Sequence, residues 1–289
     1  MAKVLLIHGI NNTYRSAPQL TKLWVPALSG GVGLADAGAA IAESDVACVF
    51  FGDLFRAQGR FLGDGIPHLT EDDVTEGPES DLLFDWWSAA AEIDQLVVHP
   101  DAHTLGMRSK VKRALLALSG SKFLAGISTG MLVWWLKQVT LYFTDADVRA
   151  AVQKRLGDAI GEDTRVIVAH SLGSVAAYEV LCAGNGRQVT DLVTLGSPLG
   201  VPNVVFDRLT PRPQVKDGRH RGMWPGVERW VNIVDVDDFV ALRSKLATVF
   251  GDGVTDVSID NGLSAHAAER YLSAAETGAA VLAGLRNPE

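Results

Sequence analysis

The sequence has few cysteines, no long hydrophobic run and no excess of positive charge, and each shortage excludes a class of protein. Its only two cysteines, Cys48 and Cys182, both lie in apolar surroundings, which favours buried free thiols over a disulfide framework. No run reaches the roughly 18 consecutive apolar residues of a membrane-spanning helix. The net charge of −8 argues against a nucleic-acid partner. We therefore expect neither a transmembrane segment nor a nucleic-acid ligand.

The beginning of the chain also lacks the features of a secretory leader. It runs directly into the apolar stretch Val4–Ile7, without a longer apolar region and a small-residue cleavage site. We expect a cytoplasmic protein. The 289 residues, 47% of them hydrophobic, suffice for one large domain or two small ones with a sizeable core.

Negative charge and tryptophan are both concentrated in one part of the chain. Residues 61–107 hold eleven of the 34 acidic residues and no Lys or Arg. The segment 54–142 carries four of the seven tryptophans. We interpret 54–142 as a largely helical cap insertion in a core formed by 1–53 and 143–289, where it covers an active site and lines an acyl pocket. The alternative is that these aromatic side chains only pack the insertion onto the core.

The pattern of apolar residues predicts an α/β fold with a mainly parallel sheet and helices on both faces. Short apolar runs between turn residues are typical of strands buried on both faces; they lie at 4–7, 45–51, 166–169, 189–195, 230–234 and 255–259. Helical spacing is found at 20–28, at 81–96 with Asp81 as N-cap, at 123–136 and at 144–160 with Asp145 as N-cap. Two segments are expected to lack regular structure, the glycine-rich 30–33 and the proline-rich 202–225.

A strand that turns sharply into a helix is predicted around Ser171. The apolar strand ends at Ala169, and helical spacing begins at Leu172. Ala169 and Gly173 flank the serine at minus two and plus two, where larger side chains would collide across such a turn. This pattern is typical of a nucleophile elbow, whose strained apex lifts a serine above the sheet edge. The alternative is an ordinary turn that happens to contain serine.

Acyl transfer by a serine also needs two N–H donors that face the developing oxyanion. The amide of Leu172, directly after the serine, is one candidate. The amide of Ile10, which follows the first strand and Gly9, is the other. Without Ser171, we would interpret the segment around Ile10 as an ordinary strand-to-loop turn. We interpret the adjacent His8 as structural.

A serine hydroxyl needs a histidine base, and that base needs a carboxylate to orient it. Only two histidines follow Ser171, and His266 comes after a strand whereas His220 lies in the proline-rich segment. His266 is therefore the candidate base. Asp238 is the favoured acid, and Asp235 is the alternative, which could instead hold the loop by hydrogen bonds.

No metal or cofactor is expected. His99, Asp101 and His103 alternate as metal ligands can, but Pro100 breaks regular geometry and no second ligand cluster stands out. We expect an exposed loop there. The glycines of 30–33 lack the lysine and the strand-to-helix context of a phosphate loop.

Taken together, these motifs resemble the α/β-hydrolase family, and within it the lipases and esterases. They are, in chain order, Val4–Ile10, Ala169–Gly173, Leu195–Pro198, Asp235–Val240 and His266. Small bacterial lipases are similar in the His-Gly-Ile opening and the Ala-His-Ser-x-Gly elbow, which implies that the Ile10 and Leu172 amides form the oxyanion hole. The chain departs from the family in its Ala169, which replaces the first glycine of Gly-x-Ser-x-Gly. It also begins at what would be the family's third strand, so that we expect a minimal α/β-hydrolase fold.

The sequence therefore predicts a serine hydrolase, esterase-like or lipase-like, that cleaves carboxylic esters with apolar acyl groups. Ser171 is the nucleophile, His266 the base and Asp238 the orienting acid. The substrate is expected to be a small-molecule ester or a lipid-like acyl compound. The expected pocket residues are Asn11, Trp134 and Trp135. A thioesterase, an amidase, an acyltransferase or a non-catalytic binding protein on the same fold remains an alternative.

Overall fold

A six-stranded parallel sheet forms the centre of the protein. The computed structural model describes residues 2–56, 68–100, 106–121, 127–216 and 218–286. Its strands are β1 Val4–Ile7, β2 Val46–Val49, β3 Val166–His170, β4 Asp191–Leu195, β5 Gln214–Lys216, β6 Arg219–Arg221, β7 Arg229–Asp235 and β8 Val254–Ile259. The main sheet has the order β2-β1-β3-β4-β7-β8, and all neighbouring strands in it are parallel. The carboxyl ends of β1, β3, β4, β7 and β8 therefore lie along one edge, where parallel α/β sheets bind ligands.

Helices cover both faces of this sheet. They are α1 Ala17–Ala35, α2 Pro78–Ile93, α3 Met107–Ser119, α4 Thr129–Thr144, α5 Ala146–Ala159, α6 Leu172–Cys182, α7 Ala247–Phe250, α8 Ala268–Ser273 and α9 Ala275–Leu285. Alternate strand residues point to opposite faces: Leu5 and Ile7 of β1 join a core with α2 to α6, and Val4 and Leu6 join a core with α1, α8 and α9. The expected α/β class, with a mainly parallel sheet and helices on both faces, is confirmed. Among the described helices, none is both long and apolar enough to cross a membrane.

The described part of 54–142 is largely helical, and its apolar side chains join the core on one face of the sheet. The expected N-cap at Asp81 is wrong, because α2 already begins at Pro78 with Gly77 as N-cap. Proline fits the first helical turn, where its fixed φ and missing N–H carry no penalty. The start of the helix expected at 123–136 lies outside the described residues. The division into core and cap stays an interpretation.

The glycine-rich segment 30–33 is helical, contrary to expectation. It forms the last turns of α1, where a Cβ at Gly31 would lie 2.4 Å from the carbonyl oxygen of Leu272. A Cβ at Gly278 on α9 would lie 2.1 Å from the carbonyl oxygen of Gly31. Close packing of the two backbones therefore overrides the low helix propensity of glycine.

The proline-rich segment 202–225 is not wholly irregular. It contains the antiparallel pair β5–β6, which is too short and too exposed to produce an apolar alternation in the sequence. The helix expected at 144–160 is confirmed as α5. Its N-cap is the expected Asp145, whose carboxylate accepts the amides of Asp147 and Val148 at 3.0 Å each.

Candidate active site

Ser171 occupies a strained turn between β3 and α6. Its φ of 55° and ψ of −131° lie in a region that non-glycine residues rarely adopt. The turn is crowded by the end of β1, because a Cβ at Gly9 would lie 2.5 Å from the Ser171 Cβ. A Cβ at Gly173 would lie 2.3 Å from the carbonyl oxygen of His8. Both positions must therefore be glycine for this turn to form.

His266 and Asp238 form a hydrogen-bonded pair at the same edge of the sheet. Nδ1 of His266 lies 2.7 Å from Oδ2 of Asp238, and the Asp238 side chain is fully buried. Tyr271 donates its hydroxyl to Oδ2 at 2.6 Å, and the Val240 amide donates to Oδ1 at 2.9 Å. Burial alone would raise the pKa of Asp238, but the charge of His266 and these hydrogen bonds outweigh it, so that the pKa lies below its usual value. Asp238 is held as a carboxylate.

Asp235, the alternative acid, has different partners. Its carboxylate accepts the backbone amides of Asp237, at 2.7 Å, and of Asn261. Its own amide donates to the Tyr271 hydroxyl at 2.8 Å. Burial raises the pKa of Asp235 despite these hydrogen bonds. The structure therefore brings Asp238 to His266, whereas Asp235 connects the loops that follow β7 and β8.

Gly196, directly after β4, makes room for the Asp238–His266 pair. It has a φ of 51°, and a Cβ on it would lie 2.5 Å from Oδ2 of Asp238 and 3.1 Å from Nδ1 of His266. Any side chain at this position would meet both members of the pair. The Asp238–His266 pair therefore packs directly on the backbone at Gly196.

His170, the residue before Ser171 in the chain, packs against His266. Its Nε2 donates to the carbonyl oxygen of His266 at 3.0 Å, and the two rings are 4.5 Å apart. Burial, followed by the charge of His266, lowers the pKa of His170 to about 3, so this neighbour stays neutral. No hydrogen bond joins Ser171 Oγ to His266 Nε2, which is buried and has no partner among the described residues. Such contacts are often long without substrate and shorten when substrate binds.

The residues of the proposed oxyanion donors, Ile10 and Leu172, both line a cavity that Ser171 also lines. Leu172 opens α6, where backbone amides have no helical partner. Neither its amide nor that of Ile10 donates to an acceptor among the described residues.

His8 fixes the start of the loop that carries Ile10, since its Nδ1 donates to Gly9 O at 2.6 Å and its Nε2 accepts the Phe51 amide at 3.0 Å. Burial lowers the pKa of His8 to about 4, in keeping with a neutral structural role.

Gln138, which the sequence did not single out, holds the same loop from α4. Its buried Oε1 accepts the Asn11 amide at 3.0 Å and the Thr13 hydroxyl at 3.1 Å. Its Nε2 donates to Trp134 O at 3.2 Å, so the amide orientation is fixed. Asn11 has a φ of 66°, and the Gln138 contact orients the peptide between Ile10 and Asn11. No local pattern could have revealed a contact across 127 residues.

Two cavities adjoin the site. The larger, of about 330 Å³, is lined by Ile10, Asn11, Asn12, Arg15, Trp24, Ile127, Trp135, His170, Phe239, Val240, Ser264, Ala265, His266, Ala267, Ala268 and Glu269. The smaller, of about 50 Å³, is lined by Ile10, Leu82, Trp86, Trp135, Leu136, Val139, Ser171, Leu172, Pro198, Val201, Val204, Val205 and Val240. The cavities share three lining residues, Ile10, Trp135 and Val240; Ser171 lines only the smaller cavity, and His266 lines only the larger one.

The structure brings two of the three expected pocket residues to these cavities. Asn11 lines the larger cavity, and Trp135 lines both. Trp134 lines neither, and it stacks instead on Tyr14 with ring centres 6.2 Å apart. Phe239, next to Asp238 in the chain, stacks on Trp135 at 5.2 Å.

No cluster of three metal-ligating side chains is found in the part of the chain that the structure describes; Asp101 and His103 lie outside it. The chain matches no protein-family model. It is also not significantly similar to any curated protein. The fold is that of an α/β protein with a mainly parallel sheet. The geometry of the site is the observation from which an activity can be inferred.

Proposed function

We propose that the protein is a serine hydrolase of the α/β-hydrolase type that cleaves carboxylic esters with apolar acyl groups. The observation that supports this best is the buried Asp238–His266 pair at the sheet edge that carries Ser171 on a strained turn. Structural serines seldom need a positive φ, and the strain is explained if the turn presents a nucleophile. The apolar cavity beside Ser171 supports an apolar acyl group.

The catalytic cycle follows from these positions. Ser171 Oγ attacks the ester carbonyl carbon while Nε2 of His266 takes the hydroxyl proton, and Asp238 holds the imidazole in the required tautomer. The amides of Ile10 and Leu172 stabilise the negative oxygen. The bond to the alcohol oxygen then breaks, and His266 delivers the proton to that oxygen. Water, activated by the same imidazole, releases the acid and restores the serine.

The Ser171→Ala variant tests this proposal. We expect ester hydrolysis to fall by about a thousandfold or more with the circular dichroism spectrum unchanged. Ser88→Ala, at an exposed position of α2, is the matched control and should keep full activity. A fluorophosphonate probe should label the wild type and the control but not Ser171→Ala. Full activity of Ser171→Ala would refute the assignment of the nucleophile.

The same groups could act on a thioester or an amide, or transfer the acyl group to an acceptor other than water. A panel of p-nitrophenyl esters of increasing chain length, with a thioester for comparison and product analysis, separates these activities. If the probe fails to label the correctly folded protein, a non-catalytic binding role is favoured instead.

A further inference from the structure

The two cavities differ in chemistry, and the difference indicates which ester the site accepts. We propose that the larger cavity binds a sugar-sized, polyhydroxylated alcohol as the leaving group, while the small cavity binds a short acyl chain. The substrate class is then a short-chain acyl ester of a sugar or a similar polyol. This inference rests on the proposed serine hydrolase function.

The small cavity is suited to the acyl chain. It contains Ser171 and Leu172, and the rest of its lining is apolar. At about 50 Å³, the cavity is well below the usual volume of a small-molecule site. Leu82, Trp86 and Val205 are among the bulky side chains that enclose it, so a long fatty acyl chain does not fit.

The larger cavity lies where the alcohol must be. His266 delivers the proton to the alcohol oxygen when the ester bond breaks, so the alcohol has to lie on the His266 side of the carbonyl carbon. His266 lines the larger cavity and is absent from the lining of the small one. The volume of about 330 Å³ is within the usual range for small-molecule sites.

The lining of the larger cavity favours neutral hydroxyl groups over a charged ligand. Arg15 only donates hydrogen bonds and Glu269, as a carboxylate, only accepts them. Both line the cavity, and neither forms an ion pair with another described residue. An anion would be attracted by Arg15 but repelled by Glu269, and a cation the reverse. A hydroxyl both donates and accepts, so a polyol satisfies both side chains and the side-chain carboxamide of Asn11.

Aromatic side chains complete this lining. Trp24, Trp135 and Phe239 all face the cavity, and they offer apolar surface to the C–H groups of a ring. A cavity that combines charged or amide side chains with aromatic rings matches the alternation of hydroxyl and C–H surface on a sugar. An apolar alcohol would displace water from the half-buried Glu269 without offering it a hydrogen-bond partner, which is unfavourable.

Two butyrate esters of equal ring size test this inference. One is glucose butyrylated at its primary hydroxyl, and the other is cyclohexylmethyl butyrate, which has the same ring size and no free hydroxyl. We expect kcat/KM to be at least about tenfold higher for the sugar ester, because a site built for hydroxyl groups discriminates against analogues that lack them. Replacing butyryl by decanoyl on the same sugar should lower kcat/KM by more than about tenfold.

Variants of residues that line the larger cavity then show which side chains discriminate between the two butyrate esters. Arg15→Met removes the guanidinium but keeps an elongated side chain, and it should reduce the ratio of kcat/KM between the two esters by about tenfold, as expected for loss of one charged hydrogen-bond partner. Glu269→Gln provides a second, independent variant with the same expected direction. Arg187→Met, at an exposed position after α6, is the matched control and should keep the wild-type ratio.

The outcomes separate the inference from the proposed function. If both butyrates are hydrolysed at equal kcat/KM, or if Arg15→Met lowers both values equally, the polyol site is refuted while the serine hydrolase stands. Equal activity on the decanoyl ester refutes the short acyl site. If the folded protein hydrolyses neither ester and the fluorophosphonate probe does not label it, the proposed function fails, and this inference fails with it.

Discussion

Gln138 should control catalysis without touching the substrate. The Gln138→Leu variant removes the acceptor that the Asn11 amide and the Thr13 hydroxyl share, and it leaves the buried Thr13 hydroxyl and the partly buried Asn11 amide without that partner. A buried donor left without a partner costs about 1–3 kcal/mol, so the free energy of unfolding should fall by about 1–3 kcal/mol from the Thr13 hydroxyl alone. The peptide between Ile10 and Asn11 also loses the contact that orients it, and this peptide adjoins the one whose N–H is the proposed oxyanion donor of Ile10. Because loss of one oxyanion donor lowers kcat by about a hundredfold to a thousandfold, we expect a loss of kcat approaching a hundredfold, with little change in KM.

Two further variants separate this positioning role from a purely structural one. Thr13→Val removes only the hydroxyl contact to Gln138, so it should lower stability with little change in kcat. Gln138→Glu keeps an acceptor oxygen for the Asn11 amide and should recover most of the lost kcat. The assays are steady-state kinetics on a p-nitrophenyl butyrate series and urea unfolding followed by tryptophan fluorescence. A wild-type kcat in a folded but destabilised Gln138→Leu protein would refute the reasoning.

The remaining predictions concern the acid and the buried histidines. Asp238→Asn should lower kcat about a thousandfold or more, since an amide cannot hold the imidazole in the required tautomer. Asp235→Asn should instead lower the free energy of unfolding by about 1–3 kcal/mol and kcat by less than about tenfold. Steady-state kinetics and urea unfolding measure both effects, and finding the large loss of kcat in Asp235→Asn instead would contradict this assignment. Burial lowers the pKa of His8 to about 4 and of His170 to about 3, from 6.5 in the unfolded chain. The unfolded chain therefore binds more protons below pH 6.5, and the stability that the neutral imidazoles provide is lost as pH falls from 6.5 towards 4, by up to about 3 kcal/mol for His8. Urea midpoints at pH 7 and pH 4.5 measure this loss, and equal midpoints would contradict it.

The strands could be predicted because a parallel strand that is buried on both faces is a short, continuous run of apolar residues. The run Val4–Ile7 is bounded as the sequence predicts, and β3 and β8 are each one residue longer. The order of motifs also placed Ser171, Asp238 and His266 after strands, which the structure brings to one sheet edge. Such features depend on local residue types and on the rule that parallel strands end together.

Features that depend on long-range packing could not be predicted. The turns at 30–33 are helical only because α8 and α9 pack against them, and nothing nearby in the sequence encodes those partners. The sequence favours Asp238 over Asp235, but the partners that distinguish the two carboxylates, His266 for Asp238 and Asn261 for Asp235, lie far away in the chain. Gln138 stood in an apolar helix without any sign of a polar partner. In each case the deciding contact joins residues that are remote in the chain.

The stacking of Phe239 has a consequence for how the site is assembled. Its ring packs on Trp135 from α4 and on Trp86 from α2, with centres 5.2 and 6.2 Å apart, and its neighbour in the chain is Asp238. The position of Asp238 is thus coupled, through its neighbour Phe239, to helices encoded far upstream. We expect a shortened protein that kept the sheet and the turn at Ser171 but lacked α2 and α4 to be inactive, although it would still carry Ser171, Asp238 and His266.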